Sequence, residues 1–219
     1  MIISTEYKFI YLANPKTGST SVRDVLRPFA NQKLMNKIVV NPHMPFSMLK
    51  EKARDFKIDL AEYFIFTTVI NPWKRMVSNF FYRKDDRRGL PWYHKNYDKS
   101  TAGEYSFFQY ISNVLGDKNR DLDPYWSGCG CPNLKNFIQD SGCEVYKIEN
   151  FCLETLLLDI HSNTSFRLDD LIVQDQLPVL NTTQPNKTQN YQQYYIEQWM
   201  IDKVARIYSS DIEYGNYKF

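Results

Sequence analysis

The residues best suited to chemistry lie near the N-terminus, in the segment Pro15-Lys-Thr-Gly-Ser-Thr-Ser-Val22, directly after the apolar run Phe9–Ala13. The apolar run predicts a buried strand, and the proline and glycine break it before a helix that we expect over Ser19–Phe29. A helix N-terminus offers unpaired backbone N–H groups and the positive end of the helix dipole. Together with Lys16 and the hydroxyl groups, the segment predicts a site for a phosphate-like anion.

The order of residues separates this turn from the loop of nucleoside triphosphatases, whose pattern is G-x-x-x-x-G-K-[ST]. Lys16 precedes Gly18, and no glycine stands where the first glycine of that pattern belongs. A P-loop-like kinase is therefore the weaker enzymatic alternative, also because no acidic residue ends the strand predicted over Tyr63–Ile70. For this segment taken alone, an ordinary strand-to-helix turn capped by serine or threonine remains a second alternative.

A second polar segment follows the strand predicted over Tyr63–Ile70, which is apolar on both faces, as a central parallel strand should be. Asn71-Pro72 suits a helix start, and apolar residues continue with helical spacing over Trp73–Lys84. Three polar residues near or on the opposite face of this helix predict a second anion site: Lys74, Arg75 and Ser78.

These motifs resemble those of sulfotransferases that use 3′-phosphoadenosine 5′-phosphosulfate (PAPS). The N-terminal segment resembles their 5′-phosphosulfate loop, and Val69–Phe80 resembles their 3′-phosphate-binding segment, Arg-[Asp or Asn]-Pro-x-x-Arg-x-x-Ser. Cys143–Phe151 resembles the Ile-Gly-Arg-x-Glu-Asn stretch of carbohydrate sulfotransferases, with Glu149 as the matching acid. The tail from Asp211 resembles the Asp-Ile-x-x-x-x-Tyr-x-Phe ending of glycan-modifying families, so the resemblance spans most of the chain.

The length of 219 residues predicts one α/β domain covering residues 1–219, with a central, mostly parallel sheet flanked by helices. The resemblance implies a P-loop-like turn that binds the 5′-phosphosulfate. Its expected ligands are Lys16, Thr17, Gly18, Ser19, Thr20 and Ser21.

The same resemblance implies that Ser78 and Arg75 hold the 3′-phosphate of the cofactor. One departure from the family pattern is that its first arginine falls on Ile70, so this contact cannot be made in the usual way. Lys74 is a nearby cation that could compensate, as a point charge rather than a bidentate fork. We therefore expect a reduced affinity for the cofactor.

His43 is the residue expected to deprotonate the acceptor. It lies between a short strand predicted over Lys37–Val40 and a helix predicted over Met44–Asp55, and ligand-binding groups collect at the carboxyl ends of strands in open α/β sheets. The ordinary pKa of histidine suits proton removal from an alcohol near neutral pH. A loop histidine without a function is the alternative.

Residues 83–97 mix cations with aromatic side chains and break the helical spacing, which predicts a surface loop. Such a loop suits a sugar ring that bears acidic groups. The candidate acceptor-binding residues are Arg83, Arg87, Arg88, Trp92, His94 and, from the resemblance, Glu149. A solvated charged surface, and a carboxylate at a helix start for Glu149, are the alternatives.

Composition restricts the partners. Lysine and arginine outnumber aspartate and glutamate by only 27 to 25, so we expect no nucleic-acid partner, and any anionic ligand must meet a local patch. No apolar run approaches the ~20 residues of a membrane helix, and the first residues lack the pattern of a signal peptide. We expect a cytoplasmic prokaryotic or viral enzyme if the chain is complete, and a Golgi-lumen enzyme if it is a trimmed catalytic domain.

The four cysteines are expected to be reduced, because a chain of this size does not need disulfides. Cys129-Gly-Cys131 lacks the ligand spacing of a zinc ribbon, so we predict no metal site.

These motifs together predict transfer of a sulfuryl group from PAPS to a hydroxyl, or less readily an amine, of a glycan or other small acceptor. Adenosine 3′,5′-bisphosphate would be the product. Lys16 would neutralise the charge on the bridging oxygen as its bond to sulfur breaks. Since Ile70 replaces an expected ligand, a catalytically weakened sulfotransferase-fold module that binds glycans is the non-enzymatic alternative.

Overall fold

The computed structural model describes residues 1–39, 41–85, 106–114, 131–139, 141–150, 152–164 and 190–219. The chain divides into two compact units. Unit 1 contains Met1–Val69 and Lys135–Asn181, and unit 2 contains Ile70–Leu134 and Thr182–Phe219. The single domain expected over residues 1–219 stays a prediction.

A four-stranded mixed sheet forms the centre of unit 1, and its strand order is β1-β2-β3-β4. The strands are β1 Ile2–Ser4, β2 Phe9–Leu12, β3 Phe64–Val69 and β4 Glu144–Lys147. β1 pairs with β2 antiparallel, whereas β2 pairs with β3, and β3 with β4, in parallel. The α/β class is therefore confirmed, with a sheet in which two of three pairings are parallel and β3 is a central strand, as predicted.

Nine α-helices lie in the described part of the chain. They are α1 Ser19–Leu26, α2 Gln32–Ile38, α3 Phe46–Asp55, α4 Pro72–Asp85, α5 Phe107–Val114, α6 Leu134–Ile138, α7 Leu153–Asn163, α8 Gln198–Ile207 and α9 Ser209–Gly215. Short 3-10 turns follow α1 at Arg27–Phe29, precede β3 at Leu60–Glu62 and follow β4 at Ile148–Asn150. The starts predicted for α1, α3 and α4 agree with the observed starts to within about two residues.

Alternation along the strands supplies both faces of the sheet with apolar side chains. Phe9, Tyr11 and Phe66 lie on one face, where α1 and α7 cover them. Ile10 and Leu12 lie on the opposite face, in a cluster with residues of α2 and α3. β2 ends at Leu12, and the chain then enters a turn at the carboxyl end of this strand. This turn contains the residues that the sequence predicts to bind an anion.

The strand predicted over Lys37–Val40 is wrong for the residues that the structure describes, because Lys37 and Ile38 lie in α2. The Asn31 side chain caps this helix by accepting a hydrogen bond of 3.1 Å from the Leu34 backbone N–H. Leu34 and Ile38 are four residues apart and pack on the same apolar cluster. A cap and helical spacing thus outweigh the β-propensity of the β-branched residues at 38–40.

Unit 2 has an aromatic core built from α4, α5 and α8. Its buried residues are Trp73, Met76, Val77, Phe80, Phe81, Phe107, Tyr110, Ile111, Cys131, Tyr195, Met200, Val204 and Tyr208. A 3-10 turn over Tyr191–Tyr194 precedes α8 and is separate from it. Between the two, the buried Tyr195 donates a hydrogen bond of 2.9 Å to the Trp73 carbonyl.

None of the helices in the described ranges has the length and apolar character that a membrane crossing would need.

Candidate anion-binding site

The turn after β2 contains two residues with left-handed backbone. Lys16 has φ 61° and Gly18 has φ 71°. Asn14 closes the start of the turn through a hydrogen bond of 2.9 Å from its N–H to the Leu12 carbonyl. Left-handed backbone is strained for a residue with a side chain, so Lys16 needs its surroundings to hold it in this conformation.

Gly18 is the N-cap residue of α1, and the helix begins at Ser19 as the sequence predicts. Glycine has no side chain with which to cap the helix, and the first turn of α1 contains no acidic residue. The N–H groups of Ser21 and Val22 are directed at the Gly18 carbonyl, at 3.1 and 3.4 Å. The first turn of α1 therefore supplies no carboxylate of its own to oppose the positive end of the helix dipole, which suits an anionic ligand.

The residues of the segment differ in exposure. Gly18 is exposed, Lys16 and Thr20 are half-buried, and Ser19 and Ser21 are buried. Thr17 has no exposed surface, and its hydroxyl donates a hydrogen bond of 2.9 Å to the Asn14 carbonyl. The Thr17 side chain is therefore engaged within the protein, whereas Lys16 and Thr20 retain access to solvent.

His43 lies beside this turn. Its Nδ1 is 2.7 Å from the Ala13 carbonyl oxygen, and its backbone N–H donates to the Asn41 side chain at 2.8 Å. Because a carbonyl can only accept, Nδ1 carries the proton and Nε2 has the lone pair of a base in the neutral ring. His43 reaches this position from the turn before α3, and not from the end of a strand as the sequence suggested.

Arg23 is a second cation at the turn that the sequence reasoning missed. From one helical turn further along α1, its Nε donates to the Ser19 carbonyl at 3.2 Å and its Nη2 contacts the Thr20 hydroxyl at 3.5 Å. Burial lowers the pKa of Arg23, and the nearby positive charge of Arg27 lowers it further. Long helical side chains point back toward the N-terminus, which is the signal that could have identified it.

Asn71 lies in unit 2, directly before the start of α4 at Pro72. Its Oδ1 accepts hydrogen bonds from the N–H groups of Trp73 and Lys74, at 3.1 and 3.3 Å. Its Nδ2 donates to the Lys218 carbonyl at 3.0 Å. Asn71 thus caps the helix that the sequence predicted and also holds the C-terminal segment against the start of that helix.

Arg75 is fully buried, contrary to its predicted place near or on the polar face of the helix. Its Nη1 donates to the Pro132 carbonyl at 3.1 Å and to Asp211 at 3.3 Å. Ser78 and Lys74 are half-buried. Of the three residues predicted to form the second anion site, Arg75 is thus the one withdrawn from solvent.

Most of the candidate acceptor-binding residues lie outside the part of the chain that the structure describes. Arg87, Arg88, Trp92 and His94 lie outside the described residues, and Arg83 is part of α4. Glu149 is exposed, in the 3-10 turn after β4.

The described cysteines, Cys131, Cys143 and Cys152, form no disulfide with one another. No cluster of three or more histidine, cysteine or acidic side chains suited to a metal occurs among the described residues.

Unit 1 therefore brings Lys16–Ser21 and His43 to one place, through the hydrogen bond of His43 to Ala13. Sequence reasoning also missed Tyr11 and Thr68, whose buried hydroxyls lie under the turn, 2.9 Å apart. Two adjacent threonines, Thr67 and Thr68, in an otherwise apolar strand are the signal that could have found Thr68.

The chain matches no protein-family model, no curated protein and no solved structure. The fold class thus rests on the structure, and the sulfotransferase resemblance rests on the motifs alone.

Proposed function

We propose that this chain transfers a sulfuryl group from PAPS to a hydroxyl group, with a carbohydrate as the favoured acceptor. The observation that carries the proposal is the 2.7 Å hydrogen bond between His43 Nδ1 and the Ala13 carbonyl. It holds a base beside the turn that the motif assigns to the phosphosulfate, although the two residues are 30 positions apart. Transfer between oxygens needs an anion site and a base held together in this way.

The turn fits the anionic end of such a cofactor. The N-cap residue of α1 is a glycine without a capping side chain, and the first turn of the helix contains no acidic residue. Two half-buried residues supply positive charge, Lys16 in the turn and Arg23 in α1. Backbone N–H groups, a helix dipole and two cations are complementary to a group with several charged oxygens.

The proposed mechanism assigns each group a separate role. Bound PAPS would supply the electrophilic sulfur, with adenosine 3′,5′-bisphosphate as the leaving group. Lys16 and the N–H groups at the start of α1 neutralise negative charge on the bridging oxygen as its bond to sulfur breaks. His43 Nε2 accepts the proton of the acceptor hydroxyl while the oxygen of that hydroxyl bonds to sulfur.

The 3′-phosphate contacts remain a prediction from the second motif. Ser78 is the matching serine, and Lys74 is a half-buried cation on the same helix. The proposal leaves Arg75 out of the cofactor contacts, because its guanidinium has no exposed surface and pairs with Asp211.

A glycan-binding module with weakened catalysis is the second candidate, and a specific observation favours it. Ile70 stands where the motif has its first arginine, and the second arginine, Arg75, is buried. Two of the expected contacts to the 3′-phosphate are therefore missing. A module that still binds acidic glycans but no longer binds the cofactor would lack both arginine contacts in this way.

Calorimetric titration separates the candidates. Adenosine 3′,5′-bisphosphate should bind, and adenosine 5′-monophosphate should bind more weakly because it lacks the second phosphate. Adenosine triphosphate serves as the control for a kinase-like site. Binding of acidic oligosaccharides without any heat from adenosine 3′,5′-bisphosphate would refute the transferase and favour the binding module.

An acceptor screen then tests the chemistry. Radiolabelled PAPS is incubated with four acceptor classes, namely acidic oligosaccharides, neutral oligosaccharides, a tyrosine peptide and a small alcohol. We expect label to pass to an oligosaccharide. Transfer only to the peptide or the alcohol would keep the reaction class and overturn the acceptor class.

A further inference from the structure

We infer that Thr68 and Tyr11 are positioning residues. They hold the backbone of the turn after β2 in its conformation through a buried chain of hydroxyl groups that ends on Thr17. The effect on the cofactor rests on the proposed function. The effect on the conformation of the turn rests on geometry within unit 1 alone, so the two can fail separately.

The three hydroxyl groups are withdrawn from solvent, since Tyr11, Thr17 and Thr68 have no exposed surface. Thr68 Oγ1 is 2.9 Å from the Tyr11 hydroxyl and 2.9 Å from the Thr17 hydroxyl. Thr68 Oγ1 also donates to the Thr17 carbonyl at 3.1 Å. A single side chain of β3 therefore contacts both the side chain and the backbone of the central residue of the turn.

Each hydroxyl carries one proton, which sets the direction of the chain. Thr17 donates to the Asn14 carbonyl at 2.9 Å, because a carbonyl can only accept. Thr68 gives its one proton to Thr17, whose carbonyl oxygen at 3.1 Å and hydroxyl oxygen at 2.9 Å share it as acceptors. The hydrogen bond between Tyr11 and Thr68 therefore takes its proton from Tyr11. Burial raises the pKa of Tyr11, which keeps this donor protonated at neutral pH.

The hydrogen-bonded hydroxyl groups lie next to the strained part of the turn backbone. Thr17 lies between Lys16 and Gly18, both of which have positive φ. Left-handed backbone at a non-glycine residue costs about 1–2 kcal/mol and persists where the surroundings over-determine it. The hydrogen bonds at Thr17 supply this constraint, and they thereby set the directions of the Lys16 side chain and of the first N–H groups of α1.

Thr67 provides a matched control on the same strand. It is equally buried, and its hydroxyl donates to the Leu12 carbonyl at 2.6 Å, on the neighbouring strand. Replacing Thr67 with valine removes one buried hydrogen bond at the next position of β3 but leaves the chain to Thr17 intact. A role of Thr68 in the stability of unit 1 alone would give both valine variants the same effects.

The test compares Thr68→Val, Thr68→Ser, Tyr11→Phe and Thr67→Val. The measurements are thermal unfolding, hydrogen exchange of the amides of residues 16–21, and affinity for adenosine 3′,5′-bisphosphate. For Thr68→Val we expect faster exchange in the turn and an affinity lower by about tenfold, since a buried acceptor loses its donor. Thr68→Ser should restore both, and Tyr11→Phe should shift both in the direction of Thr68→Val.

Thr67→Val should lower the unfolding temperature without changing exchange at residues 16–21. Equal effects of Thr67→Val and Thr68→Val on the turn, or unchanged exchange in both Thr68→Val and Tyr11→Phe, would overturn the inference. If the unmodified protein does not bind adenosine 3′,5′-bisphosphate, the proposed function fails, and hydrogen exchange still decides the positioning role. If Thr68→Val does not fold, Tyr11→Phe and Thr68→Ser carry the same comparison.

Discussion

Arg75 and Asp211 form an ion pair that is withdrawn from solvent, with Nη1 and Oδ1 3.3 Å apart and side chains 0% and 1% exposed. The carboxylate also accepts hydrogen bonds from the Leu134 N–H at 2.7 Å and the Ser210 hydroxyl at 3.2 Å. The pair joins helices α4 and α9, whose residues are 136 positions apart. A buried charged contact therefore connects the first and the last helix of unit 2.

Replacing Arg75 with methionine should destabilise unit 2 strongly. The carboxylate of Asp211 would remain buried without its cation, and loss of one partner of a buried pair costs about 3–5 kcal/mol. The measurement is urea unfolding at pH 7.5. Lys74→Met is the control, because this half-buried neighbour should change stability by less than about 1 kcal/mol.

The loss in Arg75→Met should depend on pH. Burial raises the pKa of Asp211, and Arg75 opposes that rise. A raised pKa in the folded state means that the folded protein favours the protonated carboxyl. The stability that this protonation contributes is lost as pH rises through the raised pKa. Without Arg75 the pKa rises further, and the deficit should be larger at pH 8 than at pH 5. A deficit that grows toward low pH would contradict this assignment.

The contrast between Arg75 and the strands shows what the sequence could predict. Apolar runs with no polar face identified β2 and β3, because burial on both faces needs no information from elsewhere in the chain. Helical spacing in α4 placed Arg75 near the polar side. Its acid, Asp211, lies 136 positions away, and nothing local to α4 indicates that partner.

His43 lies beside the turn after β2, but for a different reason from the one that the sequence suggested. The sequence placed it after a strand, whereas α2 occupies that region and His43 lies in the turn before α3. The hydrogen bond to Ala13, and not a position at a strand end, brings it to the site. A contact of this kind depends on the packing of α2 and α3 against the sheet, which periodicity does not specify.

His43→Ala should reduce sulfuryl transfer by about 10²–10⁴-fold, as expected for the loss of a general base. Affinity for adenosine 3′,5′-bisphosphate should change little, because Nδ1 contacts the backbone carbonyl of Ala13. His161→Ala is the control, since this histidine is exposed on α7. Full transfer activity in His43→Ala would exclude His43 as the base.

Gly18→Ala should distort the turn for two physical reasons. The positive φ of 71° is strained for alanine, and the added Cβ would lie 2.9 Å from Cδ1 and Cγ1 of Ile148. Gly142→Ala separates these effects, because Gly142 has φ 62° and, among the described residues, no atom within 4 Å of an added Cβ. We expect each variant to lose about 1 kcal/mol from backbone strain.

Only Gly18→Ala should also weaken binding of adenosine 3′,5′-bisphosphate, since it alone disturbs the cap of α1. Adding Ile148→Ala to Gly18→Ala should remove the steric contact and recover part of the affinity. If Gly142→Ala weakened binding as much as Gly18→Ala, the loss would be a general effect of stability.

Lys16→Gly should separate stability from binding at the turn. Glycine relieves the left-handed strain of Lys16, φ 61°, but it adds flexibility to the unfolded chain, and these opposing terms are each about 1 kcal/mol. The free energy of unfolding should therefore stay within about 1 kcal/mol of the original. Affinity for adenosine 3′,5′-bisphosphate should fall by about tenfold or more, because the variant cannot make the charged hydrogen bond to the phosphate that we propose for Lys16.

Lys57→Gly is the matched control for this variant. Lys57 is an exposed lysine with φ 53°, and it follows α3. Its replacement removes one positive charge and the same kind of backbone strain, so its effect on folding should be equally small. The long-range field weakens alike in both variants, whereas a direct contact is lost only with Lys16. Equal affinities of Lys16→Gly and Lys57→Gly would therefore remove Lys16 from the anion site.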